Sequence, residues 1–372
     1  MSKSKAGASV WGLLFTVALH GLSPQAQAQN DPLSSGYIQG TKVVESFHKA
    51  RNEKKAVESE TTVQIVVYQT SDIHGHIDFF KGDAKYPASG GAASLATLFQ
   101  TEAHPDLWLD SGDWFQGTPE GDFSRGDAVF DIFNALHLDA TVVGNHDYDL
   151  GESNLGRLVG KAQGHFTILG SNVGGTPGLV PYVIKTVKGV KIGILGILTT
   201  EMSNGLATPN NVQNSTFGDE VASAQKTVQE LRHKGAQIII ALTHLGIEEY
   251  GNFKASHIPV GDIKIAKSVK GIDLILGGHT HIKMDKPLLV DSNGYKTIIV
   301  QPGAHLAGVY QIMLNVNPET GAIKNADGQF MPLDPDRYPP NTSIQKIVDG
   351  YKSSTQRQMD APLGSSAVEM AR

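Results

Sequence analysis

The chain has 372 residues, 40% hydrophobic and 18% charged, with 41 glycines, 17 prolines and no cysteine. That length supports a large core, in one large or two medium domains; the missing thiols exclude disulfides, thiolate metal sites, cysteine nucleophiles and lipoprotein attachment. A formal net charge of −6 gives no reason to expect nucleic acid or an anionic membrane surface as a partner.

Met1 to Ala28 reads as a secretory signal peptide. Lys3 and Lys5 form a basic start, Ala8 to Leu19 is an apolar run, and Ala26-Gln27-Ala28 is an A-x-A cleavage site. The run falls short of the roughly 20 apolar residues of a membrane span, so the expectation is a periplasmic or secreted protein cut after Ala28. Cleavage removes two lysines and no acids, leaving 29 basic against 37 acidic residues, or −8. Residues 29–61 form a polar lead-in with a weak helical period through Val43, Val44, Phe47 and Ala50.

From Val63 apolar strands alternate with helices. Val63 to Tyr68 is a strand ending in Thr70-Ser71-Asp72-Ile73-His74-Gly75-His76, and Gly90 to Glu102 reads as a helix. Leu107-Trp108-Leu109 is a strand ending in Asp110-Ser111-Gly112-Asp113. Asp127 to Leu138 follows as a helix with Val129, Ile132, Phe133 and Leu136 on one face. Ala140 to Val143 runs into Gly144-Asn145-His146-Asp147-Tyr148-Asp149, and Ser153 to Gln163 is helical. Phe166 to Leu169 is a strand, followed by strands at Tyr182 to Val187 and Val190 to Leu198. Asp219 to Lys234 is a helix with Asp219 as N-cap and Gly235 as its stop. Gln237 to Leu242 is a strand ending in Thr243-His244, Val260 to Val269 is helical, and Asp273 to Leu276 ends in Gly277-Gly278-His279-Thr280-His281. Thr297 to Val300 and Gly308 to Val316 read as the last strands. A proline-rich connector, Pro335 to Pro340, then leads to an amphipathic helix, Ser343 to Met359.

This alternation is that of an α/β domain, over roughly residues 62–318. Five of the strands end in ligand-type residues: Asp72/His74, Asp113, Asn145/His146, His244 and His279/His281. Sites in α/β sheets lie beyond the carboxyl ends of strands, so five such clusters imply one shared site. Two Asp, one Asn and several His make an oxygen and nitrogen donor set suited to Zn²⁺, Mn²⁺, Fe or Co²⁺. There are more donors than one ion needs. A bridging carboxylate would let two ions sit together, lower the pKa of water and stabilise both ends of an in-line displacement at phosphorus.

Asp72-x-His74, Gly112-Asp113, Gly144-Asn145-His146-Asp147, Thr243-His244 and Gly278-His279-Thr280-His281 resemble, in order, the five motifs of the calcineurin-like metallophosphoesterases. With the secretory start, they are most similar to the catalytic domain of the 5′-nucleotidase and UDP-sugar hydrolase family. The resemblance implies a four-layer α/β/β/α sandwich with two central mixed sheets. It also implies two divalent ions and hydrolysis of nucleotide-type phosphomonoesters by hydroxide attack. Carried over by motif, Asp72, His74 and His281 hold the first ion, Asn145, His244 and His279 the second, and Asp113 bridges. Some relatives have Gln where His281 stands; His is an equivalent neutral donor. By the same match His146 stays off the metal and contacts the phosphoryl oxygens or protonates the leaving oxygen. Asp149, rather than Asp147, orients it.

Other residues read more plainly. His76 reads as structural or supporting, and His48, His104, His137, His165, His233 and His257 as surface or internally satisfied. His305, on a loop after a strand, reads as surface or packing, with a place lining the cleft as the alternative. Asn172 stands between a supporting and a structural role, and Trp108 and Phe130 fit core positions. In full-length nucleotidases a second domain supplies the groups that grip the base. Here Ser343 to Met359 resembles the linker helix, and Ala361 to Ser366 resembles the start of that domain. The remaining tail is too short to form that domain, so the expectation is hydrolytic chemistry without the nucleotide specificity that domain supplies. The alternatives are a thiosulfohydrolase-like enzyme of sulfur oxidation and a non-catalytic metal-binding remnant, the latter opposed by the intact His146/Asp149 pair.

Overall fold

The computed structural model describes residues 37–38 and 61–361, apart from 83 and 86. The expected signal peptide, nearly all of the lead-in and the residues after 361 lie outside the described residues. In chain order the first half forms β1 (Tyr37–Ile38), β2 (Val63–Thr70), α1 (Gly91–Thr101), β3 (Leu107–Asp110), α2 (Pro119–Phe123), α3 (Asp127–Ala135), β4 (Ala140–Val142), α4 (Gly151–Ala162), β5 (Thr167–Leu169), β6 (Val173–Gly174), β7 (Tyr182–Val187) and β8 (Val190–Leu198). There follow β9 (Thr216–Phe217), α5 (Glu220–His233), β10 (Ile238–His244), β11 (Glu249–Tyr250), β12 (Phe253–Lys254), α6 (Asp262–Ser268), β13 (Leu274–Gly277), β14 (Leu288–Ser292), β15 (Tyr295–Val300), β16 (Gly308–Val316), β17 (Ile323–Pro332) and α7 (Thr342–Met359).

These strands build two large mixed sheets. One has six strands in the order β17-β16-β2-β3-β4-β5, with β2 to β5 parallel and β16 and β17 antiparallel. The other has seven, in the order β1-β14-β15-β13-β10-β8-β7. Its centre, β8, β10, β13 and β15, is parallel, and its outer strands are antiparallel. Alternation along β2 explains the stacking, since successive side chains point to opposite faces. Ile65 and Val67 join an apolar cluster with Ile194 and Ile240 of the second sheet, whereas Val66 and Tyr68 join one with Leu95 and Phe99 of α1 and Phe133 of α3. Helices α1, α3, α4 and α7 cover the first sheet, and α5 and α6 the second. The result is the expected four-layer sandwich. Because both faces of its central strands are covered, they read as unbroken apolar runs, and each fully buried Leu, Ile or Phe contributes about 1.5–3 kcal/mol.

Local chemistry accounts for several boundaries. Asp219 caps α5, its side chain accepting from the backbone N–H of Ala222 at 2.7 Å, and Gly235, at φ 87°, follows the end of that helix. Helix α7 is pinned to the first layer by Ile344 and Val348 in the core, by Lys352 to Asp78 at 2.6 Å and by a hydrogen bond from Tyr351 to Asp131.

Several elements differ from expectation. Gly308–Val316 is not the last strand: β17 follows it and forms the sheet edge. Helix α3 stops at Ala135 rather than Leu138, and α2 and β14 were not foreseen. Of the lead-in, Tyr37–Ile38 and Thr61 are described, the former as a strand paired with β14.

Candidate metal centre and proton-transfer pair

The five clusters divide between the sheets. Asp72 and His74 follow β2, Asp113 follows β3, and Asn145 and His146 follow β4, all in the first sheet. His244 ends β10, and His279 and His281 follow β13, in the second. The candidate site thus spans the seam between the carboxyl ends of both sheets. Polar groups also bridge it: Gln69 Nε2 on β2 donates to Ser111 Oγ at 2.9 Å and to the Gly277 carbonyl at 2.8 Å, and Ser111 Oγ donates to the Leu276 carbonyl at 2.8 Å.

The backbone at the site is held in an unusual conformation. Asp72, His74, Asp113, His279 and His281 all have positive φ, between 49° and 75°. For residues other than glycine this left-handed region costs on the order of 1–3 kcal/mol each, so the surrounding structure must enforce it. Gly144 is required for a different reason: a Cβ there would lie 2.2 Å from Asp113 Oδ1 and 2.4 Å from Asp113 N. The Asp113 loop and the Asn145 loop can approach this closely only because residue 144 has no side chain.

The donor set converges on itself. His74 Nδ1 donates to the Gln116 carbonyl at 2.7 Å, and His244 Nδ1 to the Ser111 carbonyl at 2.6 Å. A neutral imidazole donating from Nδ1 presents a lone pair at Nε2. His74 Nε2 lies 3.1 Å from His281 Nε2 and 3.6 Å from Asp113 Oδ2. His244 Nε2 lies 3.1 Å from the same Asp113 oxygen and 3.0 Å from Asn145 Oδ1, which His279 Nδ1 also approaches at 2.9 Å. His281 Nε2 faces Asp72 Oδ1 at 3.3 Å. One oxygen of each of Asp72 and Asp113 and one nitrogen of each of His74 and His281 all lie within 4.8 Å of one another.

Acceptors aimed at acceptors in a buried site need positive charge between them. Protons supply some of it. Burial opposes charging His244, but Asp113 raises that imidazole to about 10. Burial, with His244 alongside, pushes His279 down to about 4, and burial also lowers His74. Burial likewise opposes ionisation of Asp113, yet His244 and His74 hold it well below the usual carboxylate range. Protonation therefore satisfies only part of the cluster, and the oxygen and nitrogen set suits divalent cations.

The His146 ring faces this cluster without joining it, while the His146 backbone N–H donates to Asp113 Oδ1 at 2.8 Å. The ring lies edge-on to His74 at 5.3 Å, and its Nδ1 donates to Asp149 Oδ2 at 2.7 Å. That hydrogen bond, working against partial burial and helped by the Asp113 charge, raises His146 to about 9. Asp147 has a separate task. Fully buried, its carboxylate accepts from the backbone N–H groups of Asp113 at 3.1 Å, Trp114 at 2.8 Å and Gly144 at 2.7 Å. Through these three N–H groups it clamps the two loops together.

A buried ligand cluster thus spans the two sheets, with an imidazole–carboxylate pair beside it. The calcineurin-like phosphoesterase family profile matches residues 65–283. The chain belongs to that family. This phosphoesterase is 33% identical over 350 residues to the trifunctional nucleotide phosphoesterase protein YfkN of Bacillus subtilis, covering 83% of this chain and 23% of that protein. It is 28% identical to the 5′-nucleotidase of Bos taurus over 82% of this chain and 55% of the relative. The crystal structure of a 5′-nucleotidase precursor from Thermus thermophilus superposes with a TM-score of 0.69 at 25% identity, covering 80% of this chain and 60% of that one. The phosphoesterase therefore spans about a quarter to just over half the length of those curated relatives. Its family is thus that of the calcineurin-like phosphoesterases, and 5′-nucleotidases are among its relatives.

The phosphoesterase also shows where reading residues in isolation falls short. His305 is half-buried at the site, edge-on to His74 at 5.8 Å and to His281 at 5.7 Å, with its backbone N–H donating to the Asp72 carbonyl at 2.9 Å. His76 stacks on it at 4.1 Å. Its position on the loop after a parallel strand was the available signal. Asn172 is structural: its side chain pins Leu198 at both N–H and carbonyl, and the Gly218 carbonyl as well. His104, His137, His165, His233 and His257 are exposed, with His257 paired to Glu201 at 3.1 Å, while His48 lies outside the described residues. Trp108 and Phe130 are buried in the core.

Proposed function

We propose that the phosphoesterase is an exported dimetal enzyme hydrolysing nucleotide-type phosphomonoesters. In this reading Asp72, His74 and His281 hold one ion, Asn145, His244 and His279 hold the other, and Asp113 is shared. The observation that carries it is the convergence of buried side chains from both sheets on Asp113 Oδ2, with His74 Nε2 at 3.6 Å and His244 Nε2 at 3.1 Å. Divalent ions bound there would polarise the phosphoryl oxygens and make water acidic enough to attack near neutral pH.

The chain's own contribution is proton transfer and orientation. Asp149 holds His146 Nδ1–H, which leaves Nε2 as the proton-bearing atom turned toward the reacting group. As the water oxygen bonds to phosphorus and the ester P–O bond breaks, His146 Nε2 gives its proton to the leaving oxygen. The products are an alcohol and phosphate, and the proton lost by the water returns the imidazole to its starting state. The nucleotide preference rests on the relatives' activities, and the periplasmic or secreted location rests on the signal-like residues 1–28.

The test is hydrolysis of p-nitrophenyl phosphate, AMP and bis-p-nitrophenyl phosphate by the purified chain with Mn²⁺ or Co²⁺. Monoester cleavage abolished by a chelator is expected, with weak and broad substrate preference. Activity that survives exhaustive chelation, or cleavage of the diester alone, contradicts the proposal.

A further inference from the structure

Both members of the proton-transfer pair are open to solvent: the side chains of His146 and Asp149 are 41% and 37% exposed. Core packing therefore does not hold them, and the reading of His146 as the proton donor leaves open what does. The polypeptide between β8 and α5 supplies a physical answer. It leaves the carboxyl end of β8, crosses to the first layer and returns through β9, which pairs with β6.

On the way it grips the residues that follow His146 at several points. Asn211 Nδ2 donates to the Asp149 carbonyl at 2.9 Å. Glu152, in the first turn of α4, accepts from Asn214 N at 2.9 Å, Asn214 Nδ2 at 2.8 Å and Ser215 Oγ at 2.6 Å. Burial works to raise the Glu152 pKa, but hydrogen bonds from Ser215 and Asn214 outweigh it, so the carboxylate is ionised and fully engaged. Ser215 Oγ continues to Thr176 Oγ1 at 3.2 Å, and Thr176 to the buried Tyr148 hydroxyl at 3.2 Å. The Tyr148 ring packs edge-on against Phe217 at 5.8 Å. Residues 148, 149 and 152 are thus all tied to segment 211–217, on both sides of the carboxylate that aims His146.

We propose that Glu152 and Asn211 are positioning residues for proton delivery: through them segment 211–217 sets the backbone at Asp149 and so the direction of His146 Nε2. Neither side chain touches the ligand cluster among its assigned hydrogen bonds, so their effect runs through the pair and not through metal retention. A misplacement of about 1 Å in a reacting group costs up to roughly 10²-fold in rate. The loss depends on the leaving group. Nitrophenolate departs as a stable anion, whereas the alkoxide of an alkyl phosphate needs the proton.

The test compares AMP, an alkyl phosphate, with p-nitrophenyl phosphate in the Mn²⁺-loaded full chain and in Glu152→Ala, Glu152→Gln, Asn211→Ala and His146→Ala. Glu152→Ala and Asn211→Ala should lower the AMP to p-nitrophenyl phosphate rate ratio by about tenfold or more, with Glu152→Gln closer to wild type. A second readout is independent of turnover. In metal-free chain labelled with ¹⁵N-histidine, the downfield His146 Nδ1–H resonance, identified by its loss in His146→Ala, should broaden or shift in the same variants. Equal losses with both esters and an unchanged resonance overturn the inference and leave the segment purely structural. If His146→Ala does not change the ratio, the proton-donor reading fails; the resonance then still decides whether Glu152 and Asn211 position the imidazole.

Discussion

The seven candidate ligands and the His146–Asp149 pair are neighbours, but the fold holds them by opposite means. Asp72, Asp113 and His244 are at most 1% exposed. Their loops are fixed by strained backbone, by the Asp147 clamp and by hydrogen bonds across the sheet seam. The pair is more than a third exposed and depends on a connection between β8 and α5. A cation site gains from rigid preorganisation, because its converging acceptors repel until an ion arrives. On the proposed reading His146 must meet a leaving group that comes from solvent, and its place at the rim, tied to a segment outside the ligand cluster, suits that task.

That contrast can be broken or sharpened by mutation. The largest effect should come from Asp113→Ala, which removes the oxygen facing both halves of the cluster. Hydrolysis is expected to fall roughly 10³-fold or more, with metal uptake measured by elemental analysis falling in parallel. Full metal occupancy in that variant would contradict the shared role. His146→Ala comes next, with a loss of about 10²- to 10⁴-fold in kcat at unchanged metal content. If it turns over like wild type, the two regions do not divide the work. Asp149→Asn should cost less, up to about 10²-fold, since the imidazole remains and only its orienting partner changes. An effect larger than that of His146→Ala would show that Asp149 does more than orient.

The smallest effect concerns stability. Asp262, buried beneath the second-sheet ligands, accepts from Thr243 Oγ1 at 2.7 Å and Gln301 Nε2 at 2.8 Å, and burial raises it to about 8. A carboxyl group whose folded pKa is raised binds protons more tightly in the native state. Its contribution is therefore full below about pH 4 and is lost as pH rises through about 8. Thermal melts from about pH 6 to about pH 9 should show a decline in stability that Asp262→Asn flattens. An identical slope in both proteins would remove Asp262 as its source.

Much of this was legible in the sequence because strands and ligands are adjacent along the chain. Val63–Tyr68 running into Asp72 and His74, or Leu274–Leu276 running into His279 and His281, shows both the element and its reactive end within a few residues. Motif resemblance supplied the two-sheet arrangement, which alternation alone does not specify. Features that arise from distant segments were not legible. His305 reaches His281 only because β15 lies beside β13, and Asn211 meets Asp149 across a separation of 62 residues. Strand β17 escaped notice for a physical reason. Ile323–Pro332 alternates buried or intermediate with exposed positions at a sheet edge and carries Asn325, Asp327 and Gly328, so it lacks the apolar run of the central strands.

The central claim is that the ligand cluster is complete without the proton-transfer pair. Saturating the chelator-stripped His146→Ala chain with Mn²⁺ and counting bound ions by isothermal titration calorimetry tests it most directly. Two ions per chain, bound as in wild type, is the predicted result; one ion or none would contradict it.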